Sequence, residues 1–374
     1  MGPMTVRSKE SHAPARIART ALACGLCALF AGCASDTWET ENSDPSSFLA
    51  LAGAARQAPL RVPVFVTSMR RDDTNPESRG RAHFSLASVS VPPNHRPGVI
   101  ERAAFGAARA SRDFTISSRR NLEEADFAEE IAEQASSRGG ATRDILLYVH
   151  GYDISLDEAR FRVAQIAVDA GFAGVVALFT WDSVSRSGLF AYEADKESAT
   201  VARDALEKLA LDLSRVPSIG RVHILAHSMG AWLAMESLRT LAISGHPDLD
   251  GRLGEVMLAA PDIDLGVFAQ QLSRVGPEHV SIFVSSTDRA LSLSSRIAGN
   301  RPRLGAMNPS DPKDRQVLDA LGVSVHDLSK LNTDFTGHNT FAEAPAVVRR
   351  IGAQLAPRED ESAQAVAEAA DARE

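Results

Sequence analysis

Cysteine is almost missing from this sequence of 374 residues: Cys24, Cys27 and Cys33 are the 3 present, and none follows. A disulfide framework, a thiolate zinc site and a cysteine nucleophile are thereby excluded from the body of the chain. Long apolar runs are scarce too. The one that approaches membrane length, ALACGLCALFAG at 21–32, falls short of the about 20 residues needed to cross a hydrocarbon core. Positive charge is not in excess, with 40 Lys+Arg against 48 Asp+Glu and a net charge of −8. Nucleic acid requires a basic face, so no nucleic-acid partner is expected. What the chain does have is enough apolar material for a core, 44%, and a length that fits one large or two small domains at roughly 100–200 residues each.

The N-terminus reads as an address. Arg7, Lys9, Arg16 and Arg19 stand against one acid, Glu10, before the apolar run, which suits the centre of a secretory signal. The run ends in FAGC at 30–33 and resembles a bacterial lipobox, with Phe30 in place of the usual Leu. Cleavage before Cys33 and its acylation would anchor the mature chain, since each buried CH₂ contributes about 0.8 kcal/mol. Ser35, rather than Asp, follows at the position read for inner-membrane retention. The expectation is therefore an envelope lipoprotein, with the outer membrane favoured. Loss of the basic leader leaves a more acidic chain, so the hold on a membrane would be acyl rather than electrostatic.

Beyond the leader, 34–58 is polar and then Ala-rich and reads as a tether. VPVFVTSM at 62–69, HFSLASVSV at 83–91 and DFTISS at 113–118 are strand-like. Arg70, Arg71, Arg79 and Arg81 read most simply as solvated charge, with a place at a pocket edge as the alternative. From 144 the pattern alternates. Strands are expected at DILLYVH (144–150), VVALFTW (175–181), VHILAH (222–227), EVMLAA (255–260), VSIFVSS (280–286) and VSVHDL (323–328). Helices are expected after a capping box at Ser155 and Glu158, across 196–214, from Met229 to Ile243 and from Phe341 to Leu355. Such alternation means a mostly parallel sheet with helices on both faces, an α/β fold. The acidic tail 356–374 reads as disordered.

AHSMG at 226–230 lies where a buried strand meets an apolar helix. That is the setting of a nucleophile elbow, in which the serine sits on a strained turn and its neighbours two residues away must be small. Ser228 is the candidate nucleophile, and the amide of Met229, at the head of the helix, a candidate oxyanion donor. HGYD at 150–153 follows another strand, so Tyr152 or Gly151 is the candidate second donor. His150 is expected to orient that loop. A serine needs a base, and the base an acid that fixes its tautomer. The order Ser228, Asp288, His338 fits, with Asp262 and Asp264 of PDID as alternative acids behind a tight turn that starts at Pro261. Of the other histidines, His12 lies in the leader, His83 and His95 precede the parallel run, His223 and His326 lie within strands, and His246 and His279 fall near the opposite strand ends. His227 adjoins the serine, with its side chain expected on the opposite side of the elbow. Trp181, Asp182, Ser183, Tyr192 and Asp195 read as a structural cluster or as the lining of a cleft under a lid.

Taken in order, LLYVHGYD, ALFTWDS, AHSMGAWL, LAAPDID, SSTDRALSLS, RLG at 303–305 and GHNTF resemble a bacterial α/β-hydrolase-like family of unknown function, often placed in the esterase/lipase superfamily. The resemblance covers about 60–355 and also takes in VPVFVTSM, HFSLASVSVPP and HRPG at 95–98. It implies an α/β-hydrolase fold and a triad on Ser228, Asp288 and His338, and gives no substrate.

The expected organisation is a leader over 1–32, a tether over 33–58, an α/β-hydrolase domain over 59–355 and a tail over 356–374. The expected function is hydrolysis of a small acyl ester through an acyl-enzyme, with no metal and no organic cofactor, on a chain held to the membrane by lipidated Cys33. Acyl transfer or amide cleavage by the same residues is an alternative. So is a catalytically inactive lipoprotein that uses the hydrolase fold for binding.

Overall fold

The computed structural model describes residues 58–70, 80–137, 143–183, 189–331 and 333–356. The leader with Cys33, almost all of the tether, Arg71, Arg79 and the acidic tail lie outside the described residues. The chain divides into two units, Met1–Ala55 and Arg56–Glu374. All of the described strands and helices belong to the second.

Among the described residues nine strands form one sheet: β1 (Leu60–Ser68), β2 (His83–Val91), β3 (Thr115–Leu122), β4 (Ile145–Val149), β5 (Val175–Thr180), β6 (Val222–His227), β7 (Leu253–Ala259), β8 (Val280–Val284) and β9 (Ser324–Asp327). Their spatial order is β3-β2-β1-β5-β4-β6-β7-β8-β9. Only β2 runs against the rest, antiparallel to both β1 and β3. The other neighbours pair in parallel. The carboxyl ends of β1, β5, β4, β6, β7 and β8 therefore share one edge. In open parallel sheets this is the edge at which sites form. The central strands β4, β5 and β6 are buried at every position, as their mostly apolar sequences lead one to expect when both faces are covered. β3, at the margin, exposes Arg119 and Arg120, charges that blunt a free strand edge.

Helices α1 (Glu124–Ser137), α2 (Leu156–Asp169), α3 (Leu189–Ser214), α4 (Met229–Ile243), α5 (Leu265–Val275), α6 (Arg289–Ile297), α7 (Pro312–Leu321), α8 (Thr340–Glu343) and α9 (Pro345–Gln354) complete the unit. On one face Phe127 and Ile131 of α1, Leu206 and Leu209 of α3, Leu233 of α4 and Phe268 of α5 pack on Ile145, Leu147, Ile224 and Ala226. On the other, Val163 and Ile166 of α2, Phe341 of α8 and Ile351 of α9 pack on Leu146, Tyr148 and Leu225. The period-2 alternation of each strand divides its side chains between these two cores.

Local departures from the sequence reading have local causes. The single closing helix expected over 341–355 is two helices, because Ala344 before Pro345 is extended, at φ −88 and ψ 112, as a residue preceding proline prefers. The third strand starts later than expected, because Asp113 turns back to accept from the Arg109 amide at 2.8 Å. The helix expected over 196–214 begins at Leu189.

Candidate active site

Ser228 stands between β6 and α4, at the N-cap position of the helix, with φ 55 and ψ −122, a conformation that L residues rarely adopt. It is held there from both sides. Its amide donates to Ala259 O at 2.9 Å, and its carbonyl accepts from Ala231 N at 3.0 Å and Asp262 N at 3.2 Å. A Cβ on Gly230 would stand 2.2 Å from His150 O, and one on Gly151 would stand 2.9 Å from Ser228 Cβ. Both positions therefore demand glycine, whereas the methyl of Ala226 is accommodated within β6. Met229 heads α4, where first-turn amides have no intrahelical acceptor and the helix dipole is positive.

His338 lies in the loop before α8. Its Nδ1 donates to Asp288 Oδ2 at 2.7 Å. The other carboxylate oxygen of Asp288 accepts from Leu291 N at 2.9 Å as the N-cap of α6. The acid is thus fixed by a helix end that also favours its negative charge. It is fully buried, while His338 keeps slight exposure. The histidine loop is braced by Arg289 N donating to Thr336 O at 2.9 Å, by Thr340 Oγ1 donating to Gly337 O at 3.0 Å, and by Gly337 N donating to Asp334 Oδ1.

Asp262 and Asp264 have other partners. Asp262 accepts from Tyr192 Oη at 2.8 Å and Ser294 Oγ at 2.7 Å and pairs with Arg303 Nε at 3.2 Å. Asp264 caps α5 through Gly266 N and Val267 N and pairs with Arg301. Among the described residues, Asp288 is the carboxylate hydrogen-bonded to a ring nitrogen of His338. Burial, and then the charge of Asp262, raise the Tyr192 phenol above its ordinary range, so it stays a donor. A cavity of about 50 Å³ beside this cluster is lined by Met229, Trp232, Tyr192 and Val267.

His227 meets the loop that carries His338: the ring centroids are 4.6 Å apart, and His227 Nε2 donates to the His338 carbonyl at 3.3 Å. Burial, and then the nearby His338, push His227 well below the ordinary histidine range, so it packs as a neutral ring against Phe341.

His150 turns its Nδ1 to Gly151 O at 2.8 Å and its Nε2 to Thr180 Oγ1 at 2.9 Å. Burial and the charge of Arg70 push it down to about 3, so it is not a base at neutral pH. Trp181 is wholly buried, stacks on His150 and donates to its carbonyl at 3.2 Å. Ser183 donates to Asp195 at 2.5 Å. Trp181, Ser183 and Asp195 are thus structural. Tyr152 meets Tyr192 edge to face at 5.8 Å. Of the two readings of Arg70, the structure favours the pocket edge over free solvation: it is half-buried, lines a cavity, and is bonded to Thr180, Ser183 and Ile154. The only sequence signal for this is its position directly after a buried strand, on the edge that carries the site.

A nine-stranded sheet with one antiparallel strand and a strained serine between β6 and α4 defines an α/β hydrolase. The chain belongs to the family described as alpha/beta hydrolase of unknown function (DUF900), whose pattern matches residues 123–356. It is similar to solved structures of a Pyrobaculum calidifontis esterase (13% identity, 83% of this chain and 89% of that one, TM-score 0.37) and of carboxyl esterase 2 from the mycorrhizal fungus Tuber melanosporum (12%, 78% and 86%, TM-score 0.33). A third, siderophore hydrolase EstB from Aspergillus nidulans, shows 12% identity over 73% of this chain and 90% of its own, at TM-score 0.31. No curated protein matches. Membership rests on the family match and not on these distant structural likenesses.

Proposed function

We propose that the chain is a serine hydrolase of carboxylic esters. The observation that carries the proposal is the 2.7 Å bond from His338 Nδ1 to an Asp288 carboxylate pinned by α6. With Nδ1–H committed to Asp288, the lone pair of the ring lies on Nε2, the nitrogen a base would use. Ser228 Oγ attacks the acyl carbon and its proton passes to His338 Nε2. The amides of Met229 and Tyr152 receive the oxyanion. Collapse expels the alkoxide, which leaves with the proton from His338. Water then repeats the sequence and releases the acid and free Ser228. These are the chain's own groups, and no step calls for a cofactor.

The test is covalent. A fluorophosphonate probe should label the wild-type chain at Ser228 and leave Ser228→Ala unlabelled, and that variant should lose turnover of p-nitrophenyl acetate while unfolding normally. Turnover retained in Ser228→Ala would remove the proposal. Lack of labelling in the wild type would favour a binding role for the fold.

Anchoring through Cys33 belongs to the same proposal and is supported by the basic leader and the FAGC run. Growth with a labelled fatty acid should mark the wild-type chain and not Cys33→Ser. Equal labelling of both would refute the anchor.

A further inference from the structure

Arg70 comes from outside the stretch that matches the family, 123–356, yet it reaches into the site. It follows β1, whose last residue pairs with Thr180 of β5. Three groups receive its guanidinium: Ile154 O, Thr180 Oγ1 at 2.9 Å and Ser183 O at 3.4 Å. An arginine only donates, so Thr180 Oγ1 is the acceptor, and its single hydroxyl proton remains for His150 Nε2, 2.9 Å away. Gly151 O can only accept, so Nδ1 of the neutral ring carries the proton and donates to it at 2.8 Å, which leaves Nε2 bare to accept from Thr180 Oγ1. The two ends together set the directions between them: a guanidinium that only donates and a carbonyl that only accepts.

The last bond has a geometric consequence. The carbonyl of Gly151 and the amide of Tyr152 belong to one planar trans peptide unit, so fixing one fixes the other, pointing the opposite way. Holding Gly151 O toward His150 therefore aims Tyr152 N–H. The far end of the loop is tied as well, by Arg70 at Ile154 O and by Asp153 N donating to Ser183 Oγ at 2.9 Å. The Trp181 ring stacks on the wholly buried imidazole of His150, at 5.3 Å between centroids.

We infer that Arg70 is a positioning residue that sets the orientation of the Tyr152 amide through Thr180 and His150, and so the strength of the oxyanion hole. The inference rests on the serine-hydrolase reading above for its catalytic consequence, though not for its structural one.

The test uses the full chain with Arg70→Lys and Thr180→Val. Lysine keeps the charge, but its three donors sit on one nitrogen and cannot span acceptors placed for a planar fork, and valine keeps the shape of threonine while cutting the relay. Active sites are counted by fluorophosphonate titration, and kcat and KM for p-nitrophenyl acetate are taken per active site. Affinity for phenylboronic acid, whose serine adduct carries an oxyanion-like oxygen, is measured in parallel with amide exchange over 150–154. Both variants should lose kcat roughly 10–100-fold with KM within about twofold, weaken boronate binding in proportion, and exchange faster at Tyr152. If only the count of active sites falls, with kcat per site, boronate affinity and exchange unchanged, the positioning role is refuted. If the wild type takes up no fluorophosphonate, the reading of Ser228 fails, and exchange at Tyr152 alone decides whether Arg70 holds the loop.

Discussion

Asp288 serves two structures at once, one through each carboxylate oxygen: the cap of α6 and the ring of His338. The two roles separate by substitution. Asparagine still caps a helix, so Asp288→Asn should unfold near the wild-type temperature while kcat falls roughly 10³–10⁴-fold. Asp288→Ala should lose the cap as well, costing a further 0.5–2 kcal/mol or so in a urea titration. Gly230 makes the opposite case, one of space rather than charge. Its missing Cβ would meet two backbone carbonyls, His150 O at 2.2 Å and Val149 O at 2.7 Å. Neither can move without shifting β4, so Gly230→Ala should destabilise by about 1–3 kcal/mol in thermal unfolding. The need for a small residue here was legible in the sequence from a strand, a turn and a helix in succession, although the carbonyls that enforce it come from the end of β4. The half-buried placement of Arg70 was not legible. Its partners lie 84, 110 and 113 residues away, and a charge is drawn out of solvent only where such distant groups meet to receive it.

At the scale of elements, legibility followed burial. β4, β5 and β6 announced themselves by continuous apolar runs. α1 did not, because Phe127, Ile131 and Ala135 form a narrow buried stripe among acids. The antiparallel course of β2 also escaped the sequence reading, since alternation reveals a half-covered face but not a direction. Helix α2 matters more than its length suggests, because it begins where the loop of Gly151 and Tyr152 ends. Ser155 and Glu158 cap it reciprocally, at 3.3 and 3.4 Å. Ser155→Ala should cost about 0.5–2 kcal/mol in a urea titration.

The molecule as a whole carries histidines whose charges respond to pH in opposite ways. His150 and His227 are buried neutral, the first pushed down to about 3 by burial and Arg70, the second well below its ordinary range by burial and His338. Such groups take up protons on unfolding, so their contribution is full above the unfolded value of about 6.5 and is lost as pH falls below it. His95 behaves inversely. Burial opposes its charge, but Asp169 and Glu101, one on each ring nitrogen, raise it above its ordinary value. Its contribution is full below about 6.5 and fades as pH rises through the raised value. Urea midpoints should therefore decline on both sides of neutrality, and His95→Gln should flatten the alkaline side while leaving the acid side intact. Robustness and reactivity also conflict at one point of the backbone. The φ 55 and ψ −122 of Ser228 suit a residue with no side chain. Ser228→Gly should therefore melt higher than both Ser228→Ala and the wild type, and a lineage released from the need to turn over substrate would be free to drift toward an inert, hardier descendant.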